Sequence, residues 1–376
     1  MKTLIELYDE RPIENVLAAD VFKPQRVIYL CPTEAAQSKI LQKKITEFLR
    51  KRNPDVEVLF FETSQYYTKK VVAQLEKLID TYEDCAIDIT GGTDNTLFAA
   101  GRVSVERNVA VFTYSHRSKR FYDISGAEFA EGVECHDLYS ISDFIEMAGG
   151  KADTGRVQYE DLQRDMEYIM PLFRIFLKNR TKWSDIVSWI QQASREPGLS
   201  VDGADYRQKG DRGRLMNCPE DCLRDLEHSG LIHNLKIEDK VSFRFQDKQI
   251  RFWLRDVGSA LEAFTFKRAY DSGMFRECKC SVILEWESED AQKNVYNEVD
   301  VMTVQGVTPY FISCKACKIN TYALNELEIL RNRFGGEGAV AMIVSTETCN
   351  SATRMRAAAL NIQVVDLNDI RQELNA

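Results

Sequence analysis

Ile87-Asp-Ile-Thr-Gly-Gly-Thr-Asp-Asn-Thr-Leu-Phe-Ala-Ala100 decides the reading of this 376-residue chain. An apolar run ends in Thr-Gly-Gly-Thr and passes at once into helix-like sequence, the pattern of a phosphate-reading loop at the end of a parallel strand. Gly91 and Gly92 allow close backbone approach, and the hydroxyls of Thr90 and Thr93 can donate to phosphate or ribose oxygens. The following helix turns its positive dipole end toward the anion. The spacing is neither that of a P-loop, since no Gly-Lys-Ser/Thr follows, nor Gly-x-Gly-x-x-Gly. A plain tight turn between a strand and a helix reads the same way.

The flanking sequence favours a ligand site. Val27 to Cys31 reads as the first buried strand and ends in Pro32-Thr33, followed by helical sequence from Glu34 to about Arg52. Val56 to Phe61 is a second strand, Lys69 to Tyr82 a helix, Ala86 to Thr90 a third strand and Val109 to Tyr114 a fourth. Short apolar strands alternating with amphipathic helices predict a doubly wound parallel sheet. Ligands bind such sheets at the carboxyl ends of the strands, so Pro32, Thr33, Thr90, Gly91, Gly92, Thr93, Asp94, Asn95 and Ser115 are expected to converge on one crevice. His116 follows the fourth strand at its edge.

These residues resemble the CRISPR-associated Rossmann-fold (CARF) sensor domain, over about the first 140 residues. The resemblance implies a homodimer that binds a cyclic oligoadenylate across its two-fold axis through the loop after the first strand and the Gly-Gly-Thr turn. A four-fold ring suits a two-fold interface, so cyclic tetra-adenylate is the expected activator. The family often carries Lys directly after Gly-Gly-Thr, where this chain has Asp94-Asn95, which removes a phosphate-pairing cation.

Composition bounds the rest. No apolar stretch is long enough to span a bilayer, and Met1 to Arg11 lacks a signal-peptide core, so a soluble, cytoplasmic protein with no membrane partner is expected. The ten cysteines include Cys218 and Cys222, Cys278 and Cys280, and Cys314 and Cys317; their irregular spacing favours reduced thiols over zinc. The four histidines form no triad-like spacing with Ser or Asp.

Between about Gln163 and Phe252 the pattern changes. Asp165 to Leu177, Ser184 to Gln192 and Glu220 to Ser229 read as helices. Leu231-Ile232, Val241 to Phe245 and Gln249 to Leu254 read as short strands, which together predict a small winged-helix-like connector. The whole chain carries a formal charge of −9, yet Pro171 to Arg268 holds 18 Lys and Arg against 14 Asp and Glu. Its densest basic segment, Arg207 to Arg214, reads as a loop that either meets nucleic acid or is simply solvated.

The second chemical signal lies near the C-terminus. Asn297-Glu-Val-Asp-Val-Met302 alternates charged and apolar residues and places Glu298 and Asp300 on one strand face. Pro309 to Ala316 forms the next strand, with Ser313 and Lys315 sharing a face. An Asp and a Lys on adjacent, otherwise apolar strands are costly unless paired or functional. Oxygen ligands can hold Mg²⁺ or Mn²⁺, and a lysine can orient water and offset phosphorane-like charge.

Asn297 to Asp300 and Ile312 to Lys315 resemble the core of the PD-(D/E)xK nuclease superfamily, in the form fused to CARF sensors of type III CRISPR ancillary nucleases. Gly258 to Phe264, with Glu262 as its acid, matches the upstream helix. Tyr322 to Arg331 and Gly335-Gly336 match the downstream helix and its turn, and Ala339 to Ser345 the strand after them. The resemblance implies Asp300, Lys315, Glu262, Glu298 and Ser313 as catalytic residues, with the metal held by Asp300, the Cys314 carbonyl and Glu262. Ser313 stands where the superfamily places an acid.

The expected fold class is therefore α/β. It comprises a Rossmann-like parallel-sheet sensor domain (1–145), the winged-helix-like connector (146–255) and a C-terminal α/β restriction-endonuclease-like domain (256–376). The expected activity is a cyclic oligoadenylate-activated, metal-dependent endonuclease cleaving RNA or DNA. The rival expectation is a ligand-sensing transcription regulator that binds DNA through the connector and carries a degenerate nuclease domain.

Overall fold

The structure, a computed structural model, describes residues 1–135, 139–153, 162–210, 213–286, 295–336 and 338–375. Its N-terminal part runs β1 (Thr3–Leu7), α1 (Leu17–Phe22), β2 (Arg26–Cys31), α2 (Thr33–Gln37), α3 (Lys39–Arg52), β3 (Glu57–Glu62), α4 (Thr68–Thr81), β4 (Cys85–Asp88), α5 (Asp94–Arg107), β5 (Ala110–Ser115) and β6 (Arg120–Ser125). The sheet order is β3-β2-β1-β4-β5-β6.

The structure corrects three expectations. The first strand is β1, not Val27 to Cys31, and it lies at the centre of the sheet between β2 and β4. The sheet is also not wholly parallel: β1 to β5 are, but β6 returns antiparallel along β5. Sheet order reverses between β1 and β4, which is where such folds open a crevice. The predicted helix from Glu34 to Arg52 is two helices. Ser38 adopts an extended conformation, ends α2 and accepts the Leu41 N–H at 3.3 Å to cap α3.

After α6 (Ile141–Met147) and β7 (Gly150–Asp153) comes the middle part: α7 (Leu162–Asn179), α8 (Trp183–Ala193), β8 (Ser200–Asp205), β9 (Arg207–Lys209), β10 (Leu215–Asn217), α9 (Glu220–His228), β11 (Ile232–Ile237), β12 (Lys240–Phe245) and α10 (Lys248–Trp253). The three expected helices are present, and β11, β12 and the unforeseen β8 form a three-stranded antiparallel sheet. Gln249 to Leu254 is not a strand. Asp247 Oδ1 accepts the Ile250 N–H at 2.8 Å and starts α10 there. Arg207 to Arg214 is not a simple loop, since β9 pairs with β10; its Asp211 and Arg212 lie outside the described residues.

The C-terminal part is α11 (Ser259–Asp271), β13 (Glu277–Trp286), β14 (Val295–Gln305), β15 (Thr308–Lys315), α12 (Thr321–Phe334), β16 (Val340–Ser345), α13 (Ser351–Ala359), β17 (Ile362–Val365) and α14 (Leu367–Asn375). Its sheet order is β17-β16-β15-β14-β13-β7, antiparallel from β7 to β15 and parallel from β15 to β17. The strand β7, expected to fall in the connector, is thus the edge strand of the C-terminal sheet.

The apolar core does not respect the expected domain boundaries. One cluster joins Leu4, Tyr29 and Phe144 to Val282, Phe311, Leu327 and Phe334. A second joins Phe173, Trp189 and Trp253 to Leu261, Phe264, Cys280, Ile312 and Cys314. The C-terminal sheet is therefore packed against both other parts, and burial of this extent is the main force fixing their relation. Among the described residues no helix is long and apolar enough to cross a membrane.

Candidate functional sites

The crevice between β1 and β4 is built from two loops. Gly92 has φ +100°, and a Cβ there would fall 2.7 Å from Thr96 Oγ1 and 2.9 Å from Leu7 Cβ, so only glycine fits. Its N–H donates to Asp9 Oδ2 at 3.2 Å. Asp9 is gripped by Arg11 through Nε at 2.8 Å and Nη2 at 2.9 Å, and Asn15 holds the backbone of the same turn. Burial works against the Asp9 charge, but the Arg11 guanidinium and the backbone donors outweigh it and hold this carboxyl below its usual range. Asp9, Arg11 and Asn15 were missed from sequence. The signal available was weak: Leu4, Ile5 and Leu7, interrupted by Glu6, leading into Asp9-Glu-Arg-Pro12.

Thr90 does not point a spare donor at the crevice. Its N–H and hydroxyl both go to Asp88 Oδ1, at 2.8 and 2.6 Å, and its oxygen accepts the Tyr114 N–H at 2.8 Å. Its single hydroxyl proton is thereby used, and Thr90 ties β4 to β5. Thr93 caps α5 reciprocally with Thr96, and its hydroxyl donates to Gln65 Oε1 at 3.1 Å. Asn95 reaches the same loop, donating to the Gln65 carbonyl and accepting from Thr68 Oγ1, each at 3.1 Å. The Asp94-Asn95 departure thus serves to fasten the β3–α4 loop to the glycine turn. Pro32 and Thr33 lie one strand further out, where the Thr33 hydroxyl donates to Glu62 at 2.6 Å. Ser115 closes the turn after β5, its oxygen accepting the Ser118 N–H at 3.4 Å.

Beneath this crevice two acids are buried as register partners, Glu6 on β1 and Asp88 on β4. Burial, reinforced by Asp88, pushes Glu6 well above the usual carboxylate range, and burial pushes Asp88 up to about 7. Written as two carboxylates, the pair leaves Glu6 Oε1 and Asp88 Oδ2 without donors. A proton held between them removes that conflict.

His116, which follows β5 at the edge of the crevice, meets the C-terminal part. Its Nε2 lies 3.2 Å from Glu14 Oε1, and a Cβ on Gly338 would come within 2.5 Å of its Nδ1. Gly336 faces the same Glu14 carboxylate, and Arg11 Nε lies 4.0 Å from it. Contacts therefore run from the Asp9–Arg11 turn through Glu14 and His116 to the loop after α12.

The second site lies at a fork in the C-terminal sheet. The β14–β15 ladder extends no further than Val301↔Ile312, whereas β14 continues along β13 to Val295↔Trp286 and β15 along β16 to Lys315↔Ser345. Asp300 sits in the opening. Its Oδ2 accepts the Cys314 N–H at 2.5 Å and the Ser313 hydroxyl at 3.1 Å, and Lys315 Nζ lies 3.6 Å away. Between the pairs Cys280↔Val301 and Val282↔Val299 lie Asp300 and Ser281, the latter at φ +45°. That left-handed residue kinks β13 opposite Asp300.

Glu262 of α11 completes the group. Burial first, then the charges of Asp300, Asp256 and Glu298, raise it to about 8. Cys314 is buried, and its thiol, which donates to Thr265 at 3.4 Å, anchors β15 to α11. Ser313, which stands where the superfamily places an acid, donates its hydroxyl to Asp300. Glu298 is exposed on β14, and Asp256, not foreseen, joins through its charge on Glu262 and its hydrogen bonds from the Gly258 and Ser259 N–H groups at 2.9 Å.

The residues fit a hard divalent cation by donor chemistry. The group carries more carboxylate than Lys315 offsets, which adds to burial in driving Glu262 toward its neutral form. In an extended strand the N–H and C=O of one residue point the same way, so the Cys314 carbonyl faces the opening as its N–H does. Among the described residues, however, no three or more His, Cys, Asp or Glu side chains are grouped as a ready metal cage. Ligation would therefore lean on backbone and solvent oxygen.

No family model matches the sequence, and no curated relative does. Solved structures do. A crystal structure of protein VC1899 from Vibrio cholerae superposes with a TM-score of 0.76 at 17% identity, over 98% of this chain and 95% of that one. Can2 from Sulfobacillus thermosulfidooxidans, solved in complex with cyclic tetra-adenylate, superposes with a TM-score of 0.69 at 19% identity, over 99% of this chain and 98% of that one. At such identity the likeness establishes the fold: this chain shares the architecture of both proteins from end to end.

Proposed function

We propose that this chain is a ligand-gated nuclease of type III CRISPR defence, in which a cyclic oligoadenylate, cyclic tetra-adenylate in the first instance, bridges two N-terminal domains of a homodimer. The observation that carries the reading is the fork that brings Asp300, Lys315 and Glu262 together, in a fold shared with a protein solved with that ring.

In this reading Asp300, Glu262 and the Cys314 carbonyl hold Mg²⁺ or Mn²⁺, which when bound would polarise the scissile phosphate and lower the pKa of a coordinated water. Ser313 and the Cys314 N–H hold the Asp300 carboxylate in one orientation. Lys315, half-buried beside Asp300, places an ammonium where charge grows on the phosphoryl oxygens. Homodimerisation is supported by α5, which begins at the glycine loop. It exposes Phe98 (69%) and Val105 (83%) on the face where Gly101 has open space. The ring gates cleavage only so far as it binds the active dimer more tightly than the idle one.

The test is cleavage of labelled single-stranded RNA, single-stranded DNA and plasmid, with Mn²⁺ or Mg²⁺, with and without cyclic tetra-adenylate. Cleavage that requires the ring and disappears in Asp300→Ala and Lys315→Ala supports the reading. Ring binding without cleavage favours the DNA-binding regulator, which uses the basic middle part.

A further inference from the structure

The loop between β3 and α4 ends in Ser64-Gln-Tyr-Tyr67, at the carboxyl end of the sheet beside the glycine turn. Nothing in its sequence marked it as functional, yet it is built with care. Ser64 Oγ accepts the N–H groups of both Tyr66 and Tyr67 at 3.2 Å, turning the chain outward. Gln65 and Thr68 are bonded to Thr93 and Asn95, so the loop cannot drift from the turn. Tyr67 is steadied by the Lys70 ammonium, 5.3 Å from its ring centroid. Tyr66 is 84% exposed on this fixed base.

A large aromatic ring held out in water on a pinned loop gains nothing for folding. The adjoining pocket is lined by Pro32, Thr33, Glu62, Tyr66, Tyr67 and Lys70. Two carboxylates, Glu34 and Glu62, against the one Lys70 ammonium make it a poor phosphate site, and Glu62, whose Oε1 takes the Thr33 hydroxyl, has a second oxygen to accept an exocyclic amine. An aromatic face next to an amine acceptor is the chemistry that recognises adenine.

Resting on the proposal that this chain senses a cyclic oligoadenylate, we infer that this pocket is the base-reading subsite of the crevice, with Tyr66 stacking on an adenine and Glu62 accepting its 6-amino group. The Asp94-Asn95 departure then has a purpose: Asn95 places the stacking loop rather than pairing a phosphate. Selectivity for adenine resides outside the glycine turn.

The experiment is titration of the full-length protein with cyclic tetra-adenylate and with a tetra-inosine ring, which lacks the 6-amino group. Tyr66→Ala is expected to weaken adenylate binding by about tenfold or more, while Tyr66→Phe, which keeps the ring, stays near wild type. Glu62→Ala is expected to erase the preference for adenosine over inosine. Wild-type affinity in Tyr66→Ala overturns the assignment. So does an affinity loss that accompanies loss of the dimer in sedimentation. A wild-type chain that binds no ring overturns the sensing proposal itself, and this inference with it.

Discussion

The Cys314 N–H donates to Asp300 Oδ2 over 2.5 Å, so a backbone group of one strand fixes the carboxylate of its neighbour where their ladder ends. Removing that carboxylate frees a buried donor and, in the proposed function, deletes an oxygen ligand of the metal as well. Asp300→Ala is expected to lower ring-activated cleavage by about two to three orders of magnitude, with ring affinity unchanged. Paired cleavage and binding assays on one preparation check it.

Lys315 Nζ, 3.6 Å from Asp300, is expected to tolerate arginine poorly. A planar guanidinium prefers to clamp a carboxylate with two bonds, and would lock Asp300 instead of facing the phosphate. Lys315→Arg should therefore recover little of the rate lost in Lys315→Ala, measured as single-turnover cleavage at saturating ring.

The Glu6–Asp88 pair predicts a pH-dependent stability. Asp88 titrates near 7 in the folded chain against an ordinary value of 3.8, so the folded state holds a proton the unfolded state has released. The corresponding stability is complete below about pH 4 and is lost as pH rises through 7. Asp88→Asn keeps an acceptor for Thr90 and removes the Asp88 titration, leaving that of buried Glu6 in both proteins. Its advantage over wild type should grow from pH 4 to 7 and level off at about 4 kcal/mol, an order-of-magnitude figure read by urea unfolding at several pH values.

Val105→Asp places a charge on the exposed α5 face. Dimer dissociation measured by sedimentation should rise by about tenfold or more, and ring affinity should fall in step.

Gly338→Val forces His116 away from the loop after α12. The overpacking should cost about 1–3 kcal/mol. If the Glu14–His116 contact transmits binding to the fork, this variant keeps the ring and loses most of its activation. Full activation at wild-type affinity would show that the signal travels elsewhere.

Local signals carried most of the sequence reading. The glycine turn, β2 to β5, α11, α12 and the Asp300–Lys315 pair were legible because apolar runs, turn residues and the charged positions lie close together in sequence. β1 was not, because Thr3-Leu-Ile-Glu-Leu7 is interrupted by an acid whose buried partner, Asp88, lies more than 80 residues away. The α10 segment imitated a strand through its apolar and aromatic residues, and one Asp247 cap overrode that pattern. Gly150 to Asp153 has no strand signature at all; pairing with β13 alone makes it β7. Asp9, Arg11 and Tyr66 needed the topology before their positions had meaning.

The pairing of β7 with β13 also bears on how this chain can be divided or inherited. Gly150 to Asp153 joins the far edge of the C-terminal sheet before the polypeptide departs to build the middle part, so residues 256–376 are an incomplete unit. Cut free, they would present the outer rim of β13 as a sticky row of unpaired backbone groups. A recombination event that exchanged the C-terminal half at the start of α11 would leave its clasp behind, so the N-terminal and C-terminal parts must travel together.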